Sequence, residues 1–261
     1  MTTFDRATAV ELVSDGCFRA QISEDFWVQA GPNGGYLTAI ALRAAAACVP
    51  EPARAPRSIH VRFLSPPRAG VCEVHTELRK RGRAMTTIIV RMQQESRTFL
   101  DASVCFSEPF SSIAFQDARM PEALPIGEGE PMPKLIPLNH RFDMVRAIGG
   151  AFRASPRALS GGYLRLADPR PIDTIALAAL WDSWPPAVFA RVMEQRFRGA
   201  VPTVEASCLF RAPARVVAAG EHVLIKVEST TASDGFVEED AEIWSTDGVL
   251  LAQSRQLALL M

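Results

Sequence analysis

The feature that most constrains this fold is the apolar stretch Leu37–Cys48, which follows the glycine-rich sequence Gly31–Tyr36. Pro32 and Asn33 are typical of a helix start, and Val49-Pro50 of a helix end. Between these signals nearly every residue is apolar or alanine. A helix that is apolar almost all round cannot lie on a surface, so we expect a sheet to enclose it closely.

The paired glycines Gly34 and Gly35 open this helix. Backbone N–H groups at a helix start have no partner within the helix, and the helix dipole favours negative charge there. We therefore predict that both glycines bind substrate, as donors to an oxyanion or a polarised carbonyl. A side chain at Gly35 should then lower turnover more than stability. The alternative is that the glycines only form the turn between loop and helix.

Composition limits the class of protein. The 261 residues are 48% hydrophobic and 22% charged, which suits one large domain or two small ones with a sizeable core. A net charge of −1 argues against a nucleic-acid partner. No apolar run reaches the ~18 residues of a membrane span, and Met1–Asp5 does not resemble a signal peptide. We expect a soluble cytoplasmic protein whose five scattered cysteines are free thiols.

The first half of the chain combines this helix with several strands. Alternating apolar residues bounded by turn signals predict strands at Cys17–Val28, Ser58–Leu64, Val71–Lys80, Ala84–Gln93 and Thr98–Phe106. One strand, one helix and a run of strands indicate an α+β fold in which an antiparallel sheet covers the helix.

The second half repeats the pattern after a segment rich in Pro, Gly and Glu. We predict a helix over Ile175–Asp182, capped by Asp173 or Thr174. Strands are predicted at Phe142–Phe152, Gly162–Ala167, Val204–Phe210, Glu221–Thr230, Phe236–Trp244 and Val249–Leu260. The expected organisation is an N-terminal domain over residues 1–110, a linker over 111–139 and a C-terminal domain over 140–261.

The two halves can be aligned. Phe63 then falls on Phe210, Leu100 on Leu251, and Pro50 on Pro185 at the helix ends. This correspondence indicates a tandem duplication.

The motifs of the two halves together resemble a known family, the double-hotdog acyl-CoA thioesterases of the thioesterase II group. The resemblance rests on the order and spacing of short pieces: Gly34-Gly35-Tyr36, Ser58–Pro67, Trp181-Asp182-Ser183, Thr203–Ser207 and Leu251–Gln256. It implies a tandem hotdog, in which each half wraps a curved antiparallel sheet around its helix. It also implies hydrolysis of acyl-CoA without a cofactor, by a water that Asp182, Thr203 and Gln256 hold. The strand after Thr203 departs from the histidine-containing version familiar in the group, with Ala206 and Arg211 at the candidate histidine positions, so the substrate range is open.

The residues themselves support these three positions in part. Asp182 continues the apolar face of Ile175, Ala178 and Ala179, which favours burial, although a helix-end aspartate can also face solvent. Thr203 could be an ordinary residue at a strand start. Gln256 shares a strand face with small residues, which fits either a cavity or an exposed polar face.

The alignment predicts one site per chain. Asp182, Thr203 and Gln256 fall opposite Ala47, Pro56 and Cys105, so the first half lacks each polar side chain. The first half would then supply the scaffold, the acyl pocket and the glycine amides.

Other chemistries have weaker support. The four histidines are far apart and none sits with acids at metal-ligand spacing, so we expect no metal. There is no Gly-x-Ser-x-Gly motif of a serine hydrolase, and neither helix carries the histidine of a hotdog lyase. A non-catalytic acyl-CoA-binding protein remains the alternative. The basic hairpin tip Arg79–Arg83 could meet the phosphates of CoA or be a solvated turn.

A final expectation concerns assembly. Ile88, Val90 and Met92, or the opposite face of their strand, offer apolar surface on a sheet that has one helix to cover. We therefore predict a homo-oligomer, most simply a homodimer.

Overall fold

A computed structural model describes residues 1–29, 31–150, 152–193 and 199–261. Its helices are α1 (Thr3–Ala7), α2 (Gly34–Ala47), α3 (Thr174–Leu180) and α4 (Val188–Val192), with short 3-10 helices at Glu24–Phe26, Ile126–Glu128 and Pro137–His140. The strands are β1 (Val10–Ser14), β2 (Cys17–Ile22), β3 (Trp27–Val28), β4 (Gly31–Pro32), β5 (Ala55–Phe63), β6 (Gly70–Arg81), β7 (Thr86–Gln94), β8 (Arg97–Ser107), β9 (Glu130–Pro131), β10 (Phe142–Gly149), β11 (Ala158–Leu166), β12 (Thr203–Phe210), β13 (Val223–Ser229), β14 (Ala232–Ser233), β15 (Phe236–Ser245) and β16 (Leu250–Leu259).

One antiparallel sheet contains every strand of the described residues except the separate pair β3–β4. Its order is β1-β2-β6-β7-β8-β5-β12-β16-β15-β13-β11-β10-β9, with β14 paired to β15. The order β2-β6-β7-β8-β5 in the first half recurs as β11-β13-β15-β16-β12 in the second. Phe63 and Phe210 end the equivalent strands β5 and β12, as the duplication predicts. The halves join where β5 and β12 pair, so the α+β double hotdog is one continuous sheet.

Helix α2 is enclosed as its sequence predicts. Ala39, Ile40, Ala41 and Leu42 have no solvent exposure. The helix begins after Asn33, whose side chain accepts a hydrogen bond from the Tyr36 N–H at 2.9 Å. The apolar side chains of α2 therefore pack into the core. A functional site on this helix would have to lie at one of its ends.

Helix α3 is half as long as α2 and crosses it closely. Asp173 caps α3, as predicted, by accepting from the Ala176 N–H at 2.9 Å. The helix ends at Leu180, and Trp181–Ser183 form a turn instead of its last residues. A Cβ at Gly35 would lie 2.5 Å from the Ala179 carbonyl oxygen, so the start of α2 lies against the end of α3.

Several bounds differ from the predictions. The strand expected at Cys17–Val28 is interrupted by the 3-10 helix Glu24–Phe26. The strand expected to reach Phe152 ends at Gly149, whose φ of 58° turns the chain, and part of the remaining stretch lies outside the described residues. The strand expected from Gly162 begins earlier, at Ala158.

The predicted linker runs along the C-terminal half of the sheet. The Leu124 N–H donates to the Ala147 carbonyl at 3.1 Å, and the Met132 N–H donates to Met144 at 2.9 Å. Gln116 accepts from the Leu250 N–H at 3.2 Å. These bonds fasten the segment to the second half, whereas the domain boundaries at 110 and 139 stay a prediction.

The apolar residues proposed for subunit contact lie inside the chain. Ile88, Val90 and Met92 have no solvent exposure and belong to the core around the helices. The opposite face of β7 carries Thr87, Ile89 and Arg91, so it is mixed in polarity. The homodimer stays a prediction, and it cannot rest on the residues named for it.

Two further features bear on binding. Arg81 forms an ion pair with Glu51, and Arg54 donates to the Gly82 carbonyl at 2.9 Å, so the basic hairpin tip lies near the carboxyl end of α2. This is the opposite end from the glycine turn. Among the described residues, no helix combines the length and the apolar character needed to cross a membrane.

Candidate active site

Asp182 lies in the turn after α3, where that turn meets the amino end of α2. Its Oδ2 accepts hydrogen bonds from the Gly35 N–H and from Asn33 Nδ2, each at 2.9 Å. Asn33 Nδ2 also donates to the Asp182 carbonyl at 2.7 Å. No side chain or amide in the described ranges donates to Oδ1. The carboxylate is thus anchored through one oxygen, and the other is free to accept a proton.

The electrostatics of this position suit a base. Burial raises the pKa of Asp182 from 3.8 to about 7, although the Gly35 and Gly34 amides and Asn33 oppose the shift. A base is most useful when its pKa lies near the working pH. Asp182 therefore has both the free oxygen and the basicity needed to take a proton from water.

Thr203 and Gln256 meet directly. Thr203 begins β12 and donates through Oγ1 to Gln256 Oε1 at 2.5 Å. Gln256 is buried on β16, on the same inward face as Ser254 and Ala258. The face of small residues around Gln256 is therefore internal, which excludes the exposed-face alternative.

Glu239 extends this pair inward. Gln256 Nε2 donates to Glu239 Oε1 at 2.8 Å, and the Ala187 N–H donates to Glu239 Oε2 at 2.6 Å. The residues are neighbours because Glu239 and Gln256 are paired across β15 and β16. Burial raises the pKa of Glu239 to about 7, and the charge of Asp182 contributes to the rise.

Two connections bring Asp182 towards this group. The segment between α3 and α4 carries both Asp182 and Ala187, and Ala187 binds Glu239. Phe63 provides the second connection. A Cβ at Gly34 would lie 2.9 Å from both Phe63 Cζ and Asp182 Oδ2, and Phe63 follows Arg62, the strand partner of Glu205 near the start of β12.

The structure brings the predicted site residues together in two groups, one around Asp182 and one around Gln256. Gly35 contacts Asp182, and Thr203 contacts Gln256. The Gly35 amide donates to the protein's own carboxylate, so substrate binding by Gly34 and Gly35 stays a prediction. A Cβ at Gly35 would meet backbone, so a side chain there would also lower stability, and the expectation that turnover falls more than stability stays a prediction. The described ranges contain no cluster of His, Cys, Asp or Glu placed to hold a metal ion.

Sequence reasoning missed two residues of this network, Asn33 and Glu239. Asn33 was interpreted only as a helix start, and its contact with Asp182 spans 149 residues. A signal for Glu239 was present: it alternates with Val237, Ala241 and Ile243, which all face the core. A carboxylate in an inward apolar series requires buried partners.

Comparisons with known proteins agree with this architecture. A model described as the acyl-CoA thioesterase N-terminal domain matches residues 23–107, and one described as the acyl-CoA thioesterase C-terminal domain matches residues 117–260. An uncharacterized protein of Mycobacterium tuberculosis is 25% identical over 272 residues, which cover 93% of this chain and 90% of the relative.

Solved structures are similar over the whole chain. A conserved protein of unknown function with a hot dog fold from Alicyclobacillus acidocaldarius is 26% identical, with a TM-score of 0.90 and coverage of 100% of this chain and 98% of the other. An acyl-CoA thioesterase II, TesB2, from Mycobacterium marinum has the same fold, with 20% identity, a TM-score of 0.81, and coverage of 99% and 98%. Since the C-terminal model alone spans more than half of the sequence, this chain belongs to the acyl-CoA thioesterase family.

Proposed function

We propose that this protein hydrolyses acyl-CoA to a free carboxylic acid and CoA. The observation that carries the proposal is the Asp182 carboxylate: Asn33 and Gly35 anchor its Oδ2, and among the described residues no hydrogen bond reaches its Oδ1. Membership of the acyl-CoA thioesterase family supports the choice of substrate class.

In this mechanism Asp182 is the general base. Oδ1 takes a proton from a water while the water oxygen bonds to the thioester carbonyl carbon. The tetrahedral intermediate then expels the CoA sulfur, which receives the proton as the carbon–sulfur bond breaks. The amino end of α2 lies beside the reacting group, and its dipole favours the negative charge that develops there. Thr203 and Gln256 hold the water in line with the carbonyl.

The first test is Asp182→Asn, which keeps the shape of the side chain and removes the base. We expect turnover to fall by roughly a hundredfold or more, within the ~10²–10⁴ range of general-base catalysis. Thr203→Val and Gln256→Ala should cost less, and either change should add little to Asp182→Asn because the three act as a unit. The assay measures CoA thiol release from a panel of acyl-CoA chain lengths.

Asp240→Asn is the matched control, since Asp240 is paired with Arg255 on the outer face of the sheet. It should keep wild-type turnover, and thermal unfolding should show that each variant is folded. If Asp182→Asn keeps wild-type turnover, Asp182 is not the general base. A wild-type protein that binds acyl-CoA without releasing thiol would favour the non-catalytic binding protein.

Two further proposals come from the sequence. We propose a homodimer and a cytoplasmic location, with no nucleic-acid or membrane partner.

A further inference from the structure

Glu239 is a buried acid that the proposed hydrolysis does not use directly. It is 5% exposed, and no cation in the described part of the chain pairs with it. Each oxygen is instead occupied by one N–H donor, from Ala187 and from Gln256. Burying a carboxylate without a cation is unfavourable. We therefore expect Glu239 to have a role that depends on its hydrogen bonds and that an apolar residue could not perform.

The chemistry of the donors sets the direction of the whole chain of hydrogen bonds. The Ala187 N–H can only donate, and an ionised carboxylate can only accept. Gln256 must therefore turn its NH₂ group to Glu239, which leaves its Oε1 facing Thr203. The Thr203 hydroxyl must in turn donate to that oxygen, since both cannot accept. The Thr203 proton is thereby committed, and its oxygen can only accept a further hydrogen bond.

We propose that Glu239 is a positioning residue, which fixes the Gln256 amide and through it makes Thr203 Oγ1 an acceptor for the hydrolytic water. The inference rests on the proposed function. One water proton then points to Thr203 Oγ1 and the other to Asp182 Oδ1, so a lone pair of the water oxygen faces the thioester carbon. Without Glu239 the amide could turn, and Thr203 would donate to the water, which would then have to reorient and lose its alignment with the thioester carbon.

Glu239→Gln tests this directly, because it keeps the shape of the side chain and reverses the direction of the hydrogen bonds that run from Glu239 to Thr203. The oxygen of the new side-chain amide would accept from Ala187, its NH₂ group would face Gln256, and the Gln256 amide would have to turn. At about pH 8.5, where a carboxyl with a pKa of about 7 is ionised, we expect kcat to fall about tenfold and KM to stay within about twofold. An unchanged kcat would overturn the proposal.

Two variants separate positioning from a purely structural role. Glu239→Asp shortens the side chain but keeps an acceptor-only group, so we expect its kcat to exceed that of Glu239→Gln. A structural role predicts the reverse, since glutamine fills the space better. In a Thr203→Val background, Glu239→Gln should lower kcat by less than about twofold, because the group through which it acts is gone. Full additivity would contradict the proposal.

Glu238→Gln is the matched control on the same strand. Glu238 accepts from the Thr230 and Thr231 backbone N–H groups, at 2.7 and 3.0 Å, on the other face of β15. The same loss of charge at this position should leave kcat unchanged. A comparable fall in both variants would show that charge alone matters.

A readout independent of activity is the side-chain amide of Gln256. In protein labelled with ¹⁵N-glutamine, Gln256→Met identifies its NMR signal. We expect that signal to shift in Glu239→Gln and to stay in place in Glu238→Gln. An unmoved signal in Glu239→Gln overturns the proposal even if the wild type is active. Conversely, if the wild type fails to hydrolyse acyl-CoA while the Gln256 signal still shifts in Glu239→Gln, that result refutes the proposed function and retains the link between Glu239 and Gln256.

Discussion

At the scale of single residues, the environment of Asp182 predicts the pH dependence of hydrolysis. Burial raises its pKa to about 7, and a general base works only in its ionised form. We expect kcat/KM to rise at least about tenfold per pH unit below pH 7, since Glu239 ionises over the same range, and to level off above it. The measurement is a pH profile of thiol release from about pH 5 to pH 9 at constant ionic strength. A rise centred near pH 4, as for an ordinary aspartate, would contradict the assignment.

The same raised pKa predicts that stability falls as the pH rises, whereas activity increases. An acid whose pKa is higher in the folded than in the unfolded state binds more protons when folded. Its contribution is full below the unfolded value of 3.8 and is lost as the pH rises through about 7. Glu239 shifts in the same direction. The free energy of unfolding should therefore decline over this window, and less steeply in Asp182→Asn, which is the control for the profile.

How far the sequence predicts this site depends on where each contact comes from. Asp182, Thr203 and Gln256 could be named because the motifs around them resemble a family. The anchoring of Asp182 by Asn33 could not be predicted, since this contact joins the two halves across 149 residues. Glu239 could have been found from its place in an inward series of β15, but its partner Ala187 contributes only a backbone N–H, which no residue type reveals.

At the scale of elements, the crossing of α2 and α3 fixes the site. The two helices approach closely because Gly35 has no side chain, and a Cβ there would also lie 3.1 Å from Asp182 Cβ. A shift of either helix backbone would therefore also move the Asp182 carboxylate, which the Gly35 N–H binds. The glycine turn is therefore a packing requirement, and its Gly35 amide also holds Asp182.

Gly35→Ala measures this requirement. The added methyl would meet the Ala179 backbone oxygen at 2.5 Å, so we expect the free energy of unfolding to fall by about 1–3 kcal/mol, as for other overpacked sites. Denaturant unfolding gives the value. Gly127→Ala is the control, because no atom lies within 4 Å of a Cβ at that position. Equal stability of both variants would show that the helices can separate without cost.

Elements with one clear apolar face were predicted to within a few residues, as β12 and β15 show. Strand β1 (Val10–Ser14) was missed because four of its five residues are exposed at the sheet edge, so no alternation appears. Helix α3 was predicted too long because Trp181 and Asp182 continue its apolar face while the chain already turns. Tertiary contacts, and not local preference, decide both cases.

At the scale of the whole molecule, the two halves contribute unequally to the proposed site. The second half provides Asp182, Thr203, Gln256 and Glu239, while the first contributes Asn33 and the Gly35 amide that hold Asp182. The halves also share the sheet, since β12 pairs with β5 over Ser58–Arg62. If the chain has the one proposed site, that site therefore needs both halves.

This dependence predicts that the second half alone is inactive although it carries every polar residue assigned to catalysis. In a chain of residues 111–261, Asp182 loses both anchoring donors, and β12 becomes an exposed edge prone to association. We expect no acyl-CoA hydrolysis from this fragment and recovery on co-expression with residues 1–110. The control is the full chain carrying a protease site near the exposed Phe110 and Ile113, cut after folding, which should stay active. Wild-type turnover by the fragment alone would show that Asn33 and Gly35 are dispensable, because Asp182 would then act as a base without the anchor that the first half provides.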